Sequence, residues 1–230
     1  MIGIICAMNV EVQGLIKKME NSETKTVAGA TFYCGKIKGK DVVCTECGVG
    51  KVNAAMTAQI MIDLYHPDVI INSGVAGSLS REVSIGDIVI SKDCVQHDMD
   101  TTQMGDPKGL IWFANEKRID LPADETTAQK LFDACSDLID TKVIMGRIAS
   151  GDTFVADREQ RLNIGEMFEA VSCEMEGAAV GQVCYRNEVP FAILRCISDD
   201  IDENEVMSFD KFCAIAAEKS IKAIENYLAL

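Results

Sequence analysis

Several carboxylates follow apolar runs of this sequence, at places where they could act as acids and bases. Glu11 comes shortly after the first apolar run, Glu174 and Glu176 come after a later one, and Asp199 ends the run that precedes the C-terminal segment. A protonated carboxyl can give a proton to a leaving group, and an ionised carboxylate can take one from water. The residue types and their order therefore favour a site for acid–base cleavage of a bond.

A run of small residues, Gly74-Val75-Ala76-Gly77, follows the apolar segment Asp68–Ile71. Small residues allow backbone N–H groups, here those of Ala76 and Gly77, to come close to a ligand. A plain turn from a strand into a loop explains the same pattern equally well. Either interpretation predicts a loop at this position.

Each of the other motifs also has an explanation that involves no chemistry. Acidic residues at the start of a helix, such as those of Glu174-Met175-Glu176, are favoured by the helix dipole alone. Glu11 could be an exposed residue at a helix start, and Asp199 could belong to a solvated acidic turn that continues through Asp200. The ring of Phe154 could stack on a ligand or pack in the core. The motifs therefore argue for a site only when they are taken together.

The segment Gly48-Val-Gly-Lys51 invites comparison with a phosphate-binding loop but lacks two residues of that motif. The motif needs a glycine where Thr45 stands and a serine or threonine where Val52 stands. The Gly-x-Gly-x-x-Gly pattern of dinucleotide-binding proteins is also absent from the sequence. We expect a tight turn that opens a helix, and no cofactor.

Cys44 and Cys47 have the spacing of a redox or zinc motif, but a second pair to complete a zinc site is missing. Many of the ten cysteines lie in apolar runs, as expected for thiols that act as small apolar residues in a reducing compartment. The segment His97-Asp98-Met99-Asp100 could begin a metal site, but the chain has only two histidines. We expect no metal.

Composition excludes several other classes of function. The chain has 230 residues, of which 48% are hydrophobic, and a formal net charge of −14. That length and apolar content fit one α/β domain over residues 1–230. Such an acidic surface repels nucleic acids and anionic membranes. The N-terminus has no basic segment typical of a signal peptide, so we expect a cytoplasmic protein.

Strands and helices are predicted to alternate after an initial hairpin. The predicted strands are Ile2–Ala7, Ala30–Ile37, Asp41–Cys47, Asp68–Ile71, Asp87–Ser91, Lys142–Ala149, Ala170–Cys173 and Phe191–Ile197. The predicted helices are Lys51–Tyr65, Thr126–Leu138, Arg158–Phe168, Glu176–Arg186 and Ser208–Leu228. Alternation favours a single-domain, three-layer α/β sandwich with a mixed, mostly parallel central sheet. Ligands bind such sheets at the carboxyl ends of strands, where the motifs fall. The 96–124 segment is predicted to be a long functional or interface loop.

Taken in order, with Ser-Gly-Asp-Thr-Phe-Val at 150–155, these motifs resemble those of the 5'-methylthioadenosine/S-adenosylhomocysteine nucleosidases of the nucleoside phosphorylase superfamily. The resemblance runs from Ile2 to the C-terminal helix. It implies hydrolysis of the N-glycosidic bond of methylthioadenosine and adenosylhomocysteine, and of 5'-deoxyadenosine, with water as nucleophile. That activity releases adenine and the 5-substituted ribose in methionine salvage and methyl-cycle recycling. The resemblance also implies a homodimer that needs no cofactor.

The resemblance assigns a role to individual residues of this chain. Glu11 matches the family's base, and Asp199 matches its acid, which must hold a proton near neutral pH to pass it to purine N7. Phe154 matches the residue that stacks on the purine. The other positions matched to substrate binding are Ala76, Gly77, Val155, Met175, Glu176 and Ser198, with Met8, Val49 and Phe209 around the 5'-alkylthio group.

One departure and three rival functions stay open at this point. Val75 stands where the nucleosidases usually have serine, so a hydroxyl contact from that position is lost. A purine nucleoside phosphorylase would bind phosphate with arginines, yet no arginine precedes Arg81. The second rival function is a hydrolase of another purine nucleoside, such as a futalosine derivative. The third is a nucleoside-binding protein without turnover. The sequence does not rank the nucleoside substrates.

Overall fold

The computed structural model describes residues 1–201 and 205–230, and leaves the side chains of 205–211 undescribed. The strands are β1 (Ile2–Cys6), β2 (Glu20–Val27), β3 (Ala30–Ile37), β4 (Lys40–Glu46), β5 (Val69–Ser78), β6 (Ile88–Gln96), β7 (Ile111–Trp112), β8 (Lys117–Arg118), β9 (Asp120–Pro122), β10 (Val143–Ser150), β11 (Ala170–Glu174) and β12 (Phe191–Asp199). The helices are α1 (Asn9–Ile16), α2 (Lys51–Tyr65), α3 (Glu125–Ala134), α4 (Arg158–Phe168), α5 (Gly177–Arg186) and α6 (Glu205–Leu228).

The central sheet is mixed, with the strand order β11-β10-β6-β12-β5-β1-β4-β3-β2, and β9 pairs with β6. β1 pairs in parallel with both β4 and β5, and β5 pairs in parallel with β12. The carboxyl ends of these four strands therefore lie at the same end of the sheet. β12 pairs with β6 in antiparallel orientation, and β10 runs parallel to both β6 and β11. The end of β11 also pairs with β5 at Cys173↔Gly77. The carboxyl ends of the strands β5, β11 and β12 therefore meet.

Helices cover both faces of this sheet, as the alternation of elements predicts. On one face α2 and α5 bury Met61 and Val180 against Ile70 of β5. On the other face α1, α3 and α6 bury Leu15 and Ile224 in the second core, which also contains Ile71 and Leu131. Neighbouring residues of β5 thus enter different cores, which is why this strand is apolar without alternation. Across the described residues, none of the helices has both the length and the apolar content needed to cross a bilayer.

The prediction of a loop at Gly74–Gly77 is wrong, because these residues belong to β5. The strand continues through Ser78, and its pairing with β12 reaches Gly77↔Asp199. A Cβ built on Gly74 would lie 2.5 Å from Glu11 Oε1, and one built on Gly77 would lie 2.6 Å from Asp199 Oδ2. The small residues therefore serve close packing of carboxylates against a strand rather than a turn.

Two elements outside the 96–124 segment have no counterpart in the prediction. The strand β2 is polar and almost wholly exposed at the edge of the sheet, so it carries no alternating apolar signal. The helix α1 has eight residues, too few for apolar periodicity to be read. The remaining predicted strands and helices are present, and their ends differ from the prediction by a few residues at most, except that β5 extends to Ser78 and β6 to Gln96.

The 96–124 segment contains more structure than the predicted loop. It includes a 3₁₀ turn at Thr102–Met104, the β7–β8 hairpin and the strand β9, which pairs with the end of β6. The hairpin is held by contacts that hydrophobic periodicity does not reveal. Lys117 Nζ lies 3.5 Å from the centroid of the Trp112 ring, and the rings of Phe113 and Tyr185 are 5.6 Å apart.

Candidate active site

A cavity of about 420 Å³ opens where the ends of β5, β11 and β12 meet the turn after β1. Ten residues that the sequence singled out line it: Met8, Glu11, Val49, Ala76, Gly77, Phe154, Met175, Glu176, Ser198 and Asp199. Val155 lies beside it, buried, and its carbonyl accepts a hydrogen bond from Arg161 Nε at 2.8 Å. The side chain of Phe209 falls outside the described residues. The fold thus gathers segments that are distant in sequence.

Glu11 is buried at the floor of the cavity, so the alternative of an exposed helix-start residue is wrong. Its Oε2 accepts hydrogen bonds from the backbone N–H groups of Ala7 at 3.0 Å and Met8 at 2.8 Å. Its Oε1 accepts one from Val75 N at 3.0 Å. Burial raises the pKa of Glu11 above its ordinary value, although nearby Arg195 and these N–H groups oppose the shift. A carboxylate of raised basicity, held by the backbone, is suited to take a proton from water.

Arg195 is a residue that the sequence analysis did not single out. It lies in β12, is 0% exposed, and donates to Asn72 Oδ1 and to Glu174 Oε2. Its Nε and Nη1 have no hydrogen-bond partner among the described residues. Arg195 Nη1 and Glu11 Oε1 both lie against Gly74, and the field of Arg195 acts on Glu11. Arg195 therefore supplies positive charge beside Glu11 without belonging to the described lining of the cavity. An arginine inside the apolar run Phe191–Ile197 is the signal that could have revealed it.

Glu174 and Glu176 have different surroundings although they are two residues apart. Glu174 Oε2 accepts from the backbone N–H groups of Glu176 at 2.9 Å and Gly177 at 2.7 Å, and the carboxylate also contacts Ser150 and Arg195. These four contacts hold the turn between β11 and α5, and Glu174 also borders the cavity.

Glu176 is less well compensated and faces the cavity. Its Oε1 accepts from Gly50 N at 2.9 Å, and its Oε2 is 3.7 Å from Arg195 Nη2. Burial, and then repulsion from Glu174, raise the pKa of Glu176 to about 7. A buried carboxylate with acceptor capacity to spare is suited to receive hydroxyl groups of a ligand.

Asp199 lines the same cavity and follows a β-bulge. Ile197 pairs with Ala76 and Asp199 pairs with Gly77, so Ser198 is one extra residue on β12. The Ser198 hydroxyl donates to Asp199 Oδ1 at 2.7 Å. Arg161 Nη2 donates to Asp199 Oδ2, and both side chains of this ion pair are buried. The alternative of a solvated acidic turn is therefore wrong for Asp199.

Apolar side chains form the mouth of the cavity. Phe154 is 47% exposed and Val49 is 51% exposed, so neither serves as core packing. Met8 is half-buried beside them. These three residues come from three separate loops, and their exposure leaves apolar surface for a ligand to cover.

Comparisons with known proteins identify the family of this chain. The model of the phosphorylase superfamily matches residues 1–229. A 5'-methylthioadenosine/S-adenosylhomocysteine nucleosidase of Shewanella sediminis is 41% identical over 220 residues, which cover 95% of this chain and 94% of the relative. The chain belongs to this nucleosidase family. The family, the α/β fold with a mixed sheet and the hydrolase class expected from the sequence are thereby confirmed.

Solved structures of the family share the fold closely. The nucleosidase of Neisseria meningitidis in complex with methylthio-immucillin-A has a TM-score of 0.92 and 33% identity, and the match covers 99% of this chain and 98% of that one. A futalosine hydrolase of Helicobacter pylori has a TM-score of 0.90 and 33% identity, with 98% and 96% covered. The fold alone therefore does not separate nucleosidases by their substrate.

The Gly48–Lys51 turn of this family member binds carboxylates of its own chain. Gly50 N donates to Glu176, and Lys51 N donates to Asp152 Oδ1 at 2.7 Å. The Lys51 ammonium pairs with Asp98 Oδ1 at 2.6 Å. The backbone donors that a phosphate-binding loop would offer at the start of α2 are thus already occupied, in agreement with the turn expected from the sequence.

Cys44 and Cys47 form no disulfide, and both are buried. Burial raises the pKa of the Cys44 thiol to about 12 and raises that of Cys47 further, with repulsion from Glu176 adding to the effect on Cys47. Thiols that stay protonated are poor nucleophiles and poor redox partners. Cys44 lies in β4 and Cys47 directly follows its last residue, and both pack there as small apolar residues.

Proposed function

We propose that this chain hydrolyses the N-glycosidic bond of 5'-methylthioadenosine and S-adenosylhomocysteine, and also that of 5'-deoxyadenosine, releasing adenine and the 5-substituted ribose. The observation that carries the proposal is the arrangement of three buried carboxylates around one small cavity. Glu11 and Asp199 both line it, Glu176 lies between β11 and α5, and exposed apolar side chains border it. Relatives named for these two nucleosides support the choice of substrate.

Glu11 and Asp199 divide the proton transfers of this reaction. Glu11 takes a proton from the water that attacks C1', and its three backbone hydrogen bonds fix the direction from which it does so. The C1'–N9 bond breaks, its electron pair moves into the purine, and N7 receives a proton from Asp199. The proton on Glu11 returns to solvent and Asp199 regains one, so the cycle balances.

Glu176 stabilises the sugar as positive charge develops on it. Ribose hydroxyls that donate to the Glu176 carboxylate favour its ionised form, which its burial otherwise disfavours. An anion near an oxocarbenium-like sugar lowers the barrier most effectively where water is excluded. Phe154 then covers the purine and Val155 lies beside its edge, while Met175, Ala76, Gly77 and Ser198 complete the walls.

Water is the nucleophile in this proposal, rather than phosphate. The described lining of the cavity contains no basic side chain. The two buried arginines nearest to it, Arg161 and Arg195, already pair with carboxylates. A phosphate dianion would need free cationic donors in this space, and it would be repelled by Glu11 and Glu176.

An adenine-release assay with and without phosphate tests the proposal. The expected result is release of adenine and a free 5-substituted ribose from methylthioadenosine, adenosylhomocysteine and deoxyadenosine at rates that phosphate does not change. Sugar 1-phosphate as the product, or turnover that depends on phosphate, would assign a phosphorylase instead. Futalosine belongs in the same panel, with release of its own purine base measured, because a futalosine hydrolase shares the fold. Binding of nucleosides without turnover would leave only a binding protein.

We also propose a homodimer in which the 96–124 segment reaches the partner's cavity, and a cytoplasmic location. Large apolar side chains are exposed on this segment and on α2: Met104 is 68% exposed, Trp112 47% and Val52 77%. The acidic net charge and the thiol content support the location. Sedimentation at assay concentration tests the dimer, and a fully active monomer would reject it.

A further inference from the structure

Asp199 is in direct contact with a buried cation, which is unexpected for a residue that must donate a proton. Arg161, on α4, is 1% exposed and donates from Nη2 to Asp199 Oδ2 and from Nε to the Val155 carbonyl. Its Nη1 has no hydrogen-bond partner among the described residues. A Cβ on Gly77 would lie 3.2 Å from both Nη1 and Cζ of this guanidinium, so the group rests against the β5 backbone.

The other groups that face Asp199 do not cancel this cation. Cys173 of β11 lies near both members of the pair, but burial raises the pKa of its thiol to about 12, so it stays uncharged. Asp200 follows Asp199 in the chain and lies closer to the surface. Glu11 and Glu176 stand across the cavity, each within the field of Arg195. Among the side chains that the structure describes, Arg161 is therefore the cation in contact with Asp199.

A guanidinium in contact with a buried carboxylate favours the ionised form of that carboxylate. Burial alone would favour the protonated form, which is what a proton donor requires. The Arg161 contact therefore acts against the state that Asp199 needs in the reaction. Asp199 can be ionised beside Arg161 in the free protein and still act as a proton donor if it takes up its proton only when a purine is bound.

We propose that Arg161 is a positioning residue that holds Asp199 ionised and oriented in the free protein, so that the carboxylate acquires its proton from solvent only together with purine N7. This rests on the proposed function, in which Asp199 faces N7. An ionised Asp199 can accept a hydrogen bond from an N7–H group, but it has no proton to donate to an N7 lone pair. Its guanidinium, which also donates to the Val155 carbonyl, fixes the orientation of Asp199 Oδ2.

Two bases without a sugar distinguish the ionised from the protonated carboxyl. 9-Deazaadenine presents an N7–H donor, and 9-methyladenine presents an N7 lone pair. The measurement is the ratio of their dissociation constants, by calorimetry at pH 6, 7 and 8. The wild type should bind 9-deazaadenine at least about tenfold more tightly at pH 8, because its N7–H donates to an anion. The ratio should shrink toward pH 6, where a proton is more readily taken up with 9-methyladenine.

Removing the charge of Arg161 should reverse this preference. In Arg161→Met the ratio at pH 8 should fall at least about tenfold, because the buried carboxyl then holds its own proton. Arg161→Lys keeps the cation and should stay within about threefold of the wild-type ratio. The matched control is Arg147→Met: Arg147 pairs with Asp93 at 2.7 Å and donates to the Phe168 carbonyl, away from the cavity. That variant should leave the ratio unchanged.

An equal ratio in Arg161→Met and wild type overturns the proposal, and so does an equal change in Arg147→Met. If Arg161→Met does not fold, the wild-type ratio decides, because a preference for 9-methyladenine at pH 8 contradicts an ionised Asp199. Turnover of methylthioadenosine by the wild type is measured in parallel. Absence of turnover with the expected binding ratios would reject the proposed function alone, whereas turnover without those ratios would reject the role of Arg161 alone.

Discussion

Replacing Glu176 by glutamine should stabilise the empty protein at alkaline pH while removing its activity. The pKa of Glu176 is raised from 4.5 to about 7, because burial and Glu174 outweigh the opposing effects of Arg195 and the Gly50 N–H group. The Glu176 carboxyl therefore binds its proton more tightly in the folded protein than in the unfolded chain. The stability that this proton provides is fully present below pH 4.5 and is lost as the pH rises toward 7.

The size of the effect follows from the shift. Each unit of pKa difference corresponds to about 1.4 kcal/mol, so ionising Glu176 costs the folded state about 3 kcal/mol at pH 8. At pH 5 the same cost is about 1 kcal/mol or less. Glutamine is neutral at both values, and its amide oxygen can still accept the hydrogen bond from Gly50. The stability difference between variant and wild type should therefore grow by about 2–3 kcal/mol from pH 5 to pH 8.

Urea unfolding of both proteins at pH 5 and pH 8 measures this difference. Glu23→Gln, on the exposed strand β2, is the control and should behave as wild type at both values. The kcat of Glu176→Gln should be at least about a hundredfold lower in the adenine-release assay. A variant that becomes less stable than wild type as the pH rises would refute the reasoning, since the ion pair with Arg195 would then outweigh burial.

The other predictions concern the ends of the cavity. Glu11→Gln and Asp199→Asn should each lower kcat at least about a hundredfold, because each removes a proton-transfer group, and near-wild-type turnover of a folded variant excludes that residue from its role. Wild type should prefer methylthioadenosine to adenosine about tenfold or more in kcat/KM, since an apolar wall favours the thioether, and Phe209→Ala should reduce the preference; equal rates would indicate a general purine nucleosidase. Gly74→Ala should lower kcat at least about tenfold in steady-state assays, because its Cβ would lie 2.5 Å from Glu11 Oε1; an unchanged rate would show that the carboxylate can move without loss.

The sequence predicted elements well where burial imposes a regular pattern. The helices α2 and α4 have the bounds that hydrophobic periodicity indicates. Prediction from the sequence failed where the conformation of a residue depends on a contact with residues far away in the sequence. Gly74 reads locally as a turn, and the approach of Glu11, 63 positions earlier, and of Arg195 explains a glycine inside a buried strand. The polar strand β2 owes its place to pairing with β3, which its own residues do not signal.

The candidate site was predictable in its carboxylates and not in its cations. Glu11, Glu176 and Asp199 belong to short motifs whose order is characteristic of a family. Arg195 comes from an apolar strand, in which a lone arginine is the one local signal, and Arg161 comes from a helix in which no local motif marks it. Arg161 in particular reads as an ordinary helix residue, and its burial depends on how α4 lies against the ends of β5 and β12.

The β-bulge at Ser198 determines what kinds of genetic change this site can tolerate. Ile197 pairs with Ala76 and Asp199 pairs with Gly77, so Ser198 is the extra residue on β12. Deleting Ser198 would remove the bulge and leave Asp199 opposite Gly77, at the loss of the hydroxyl that donates to Asp199 Oδ1. Inserting a residue after Ser198 would carry Asp199 past Gly77, and residues of a strand change faces with every such step. Descendants of this chain can therefore lose a residue at the end of β12 more easily than they can gain one.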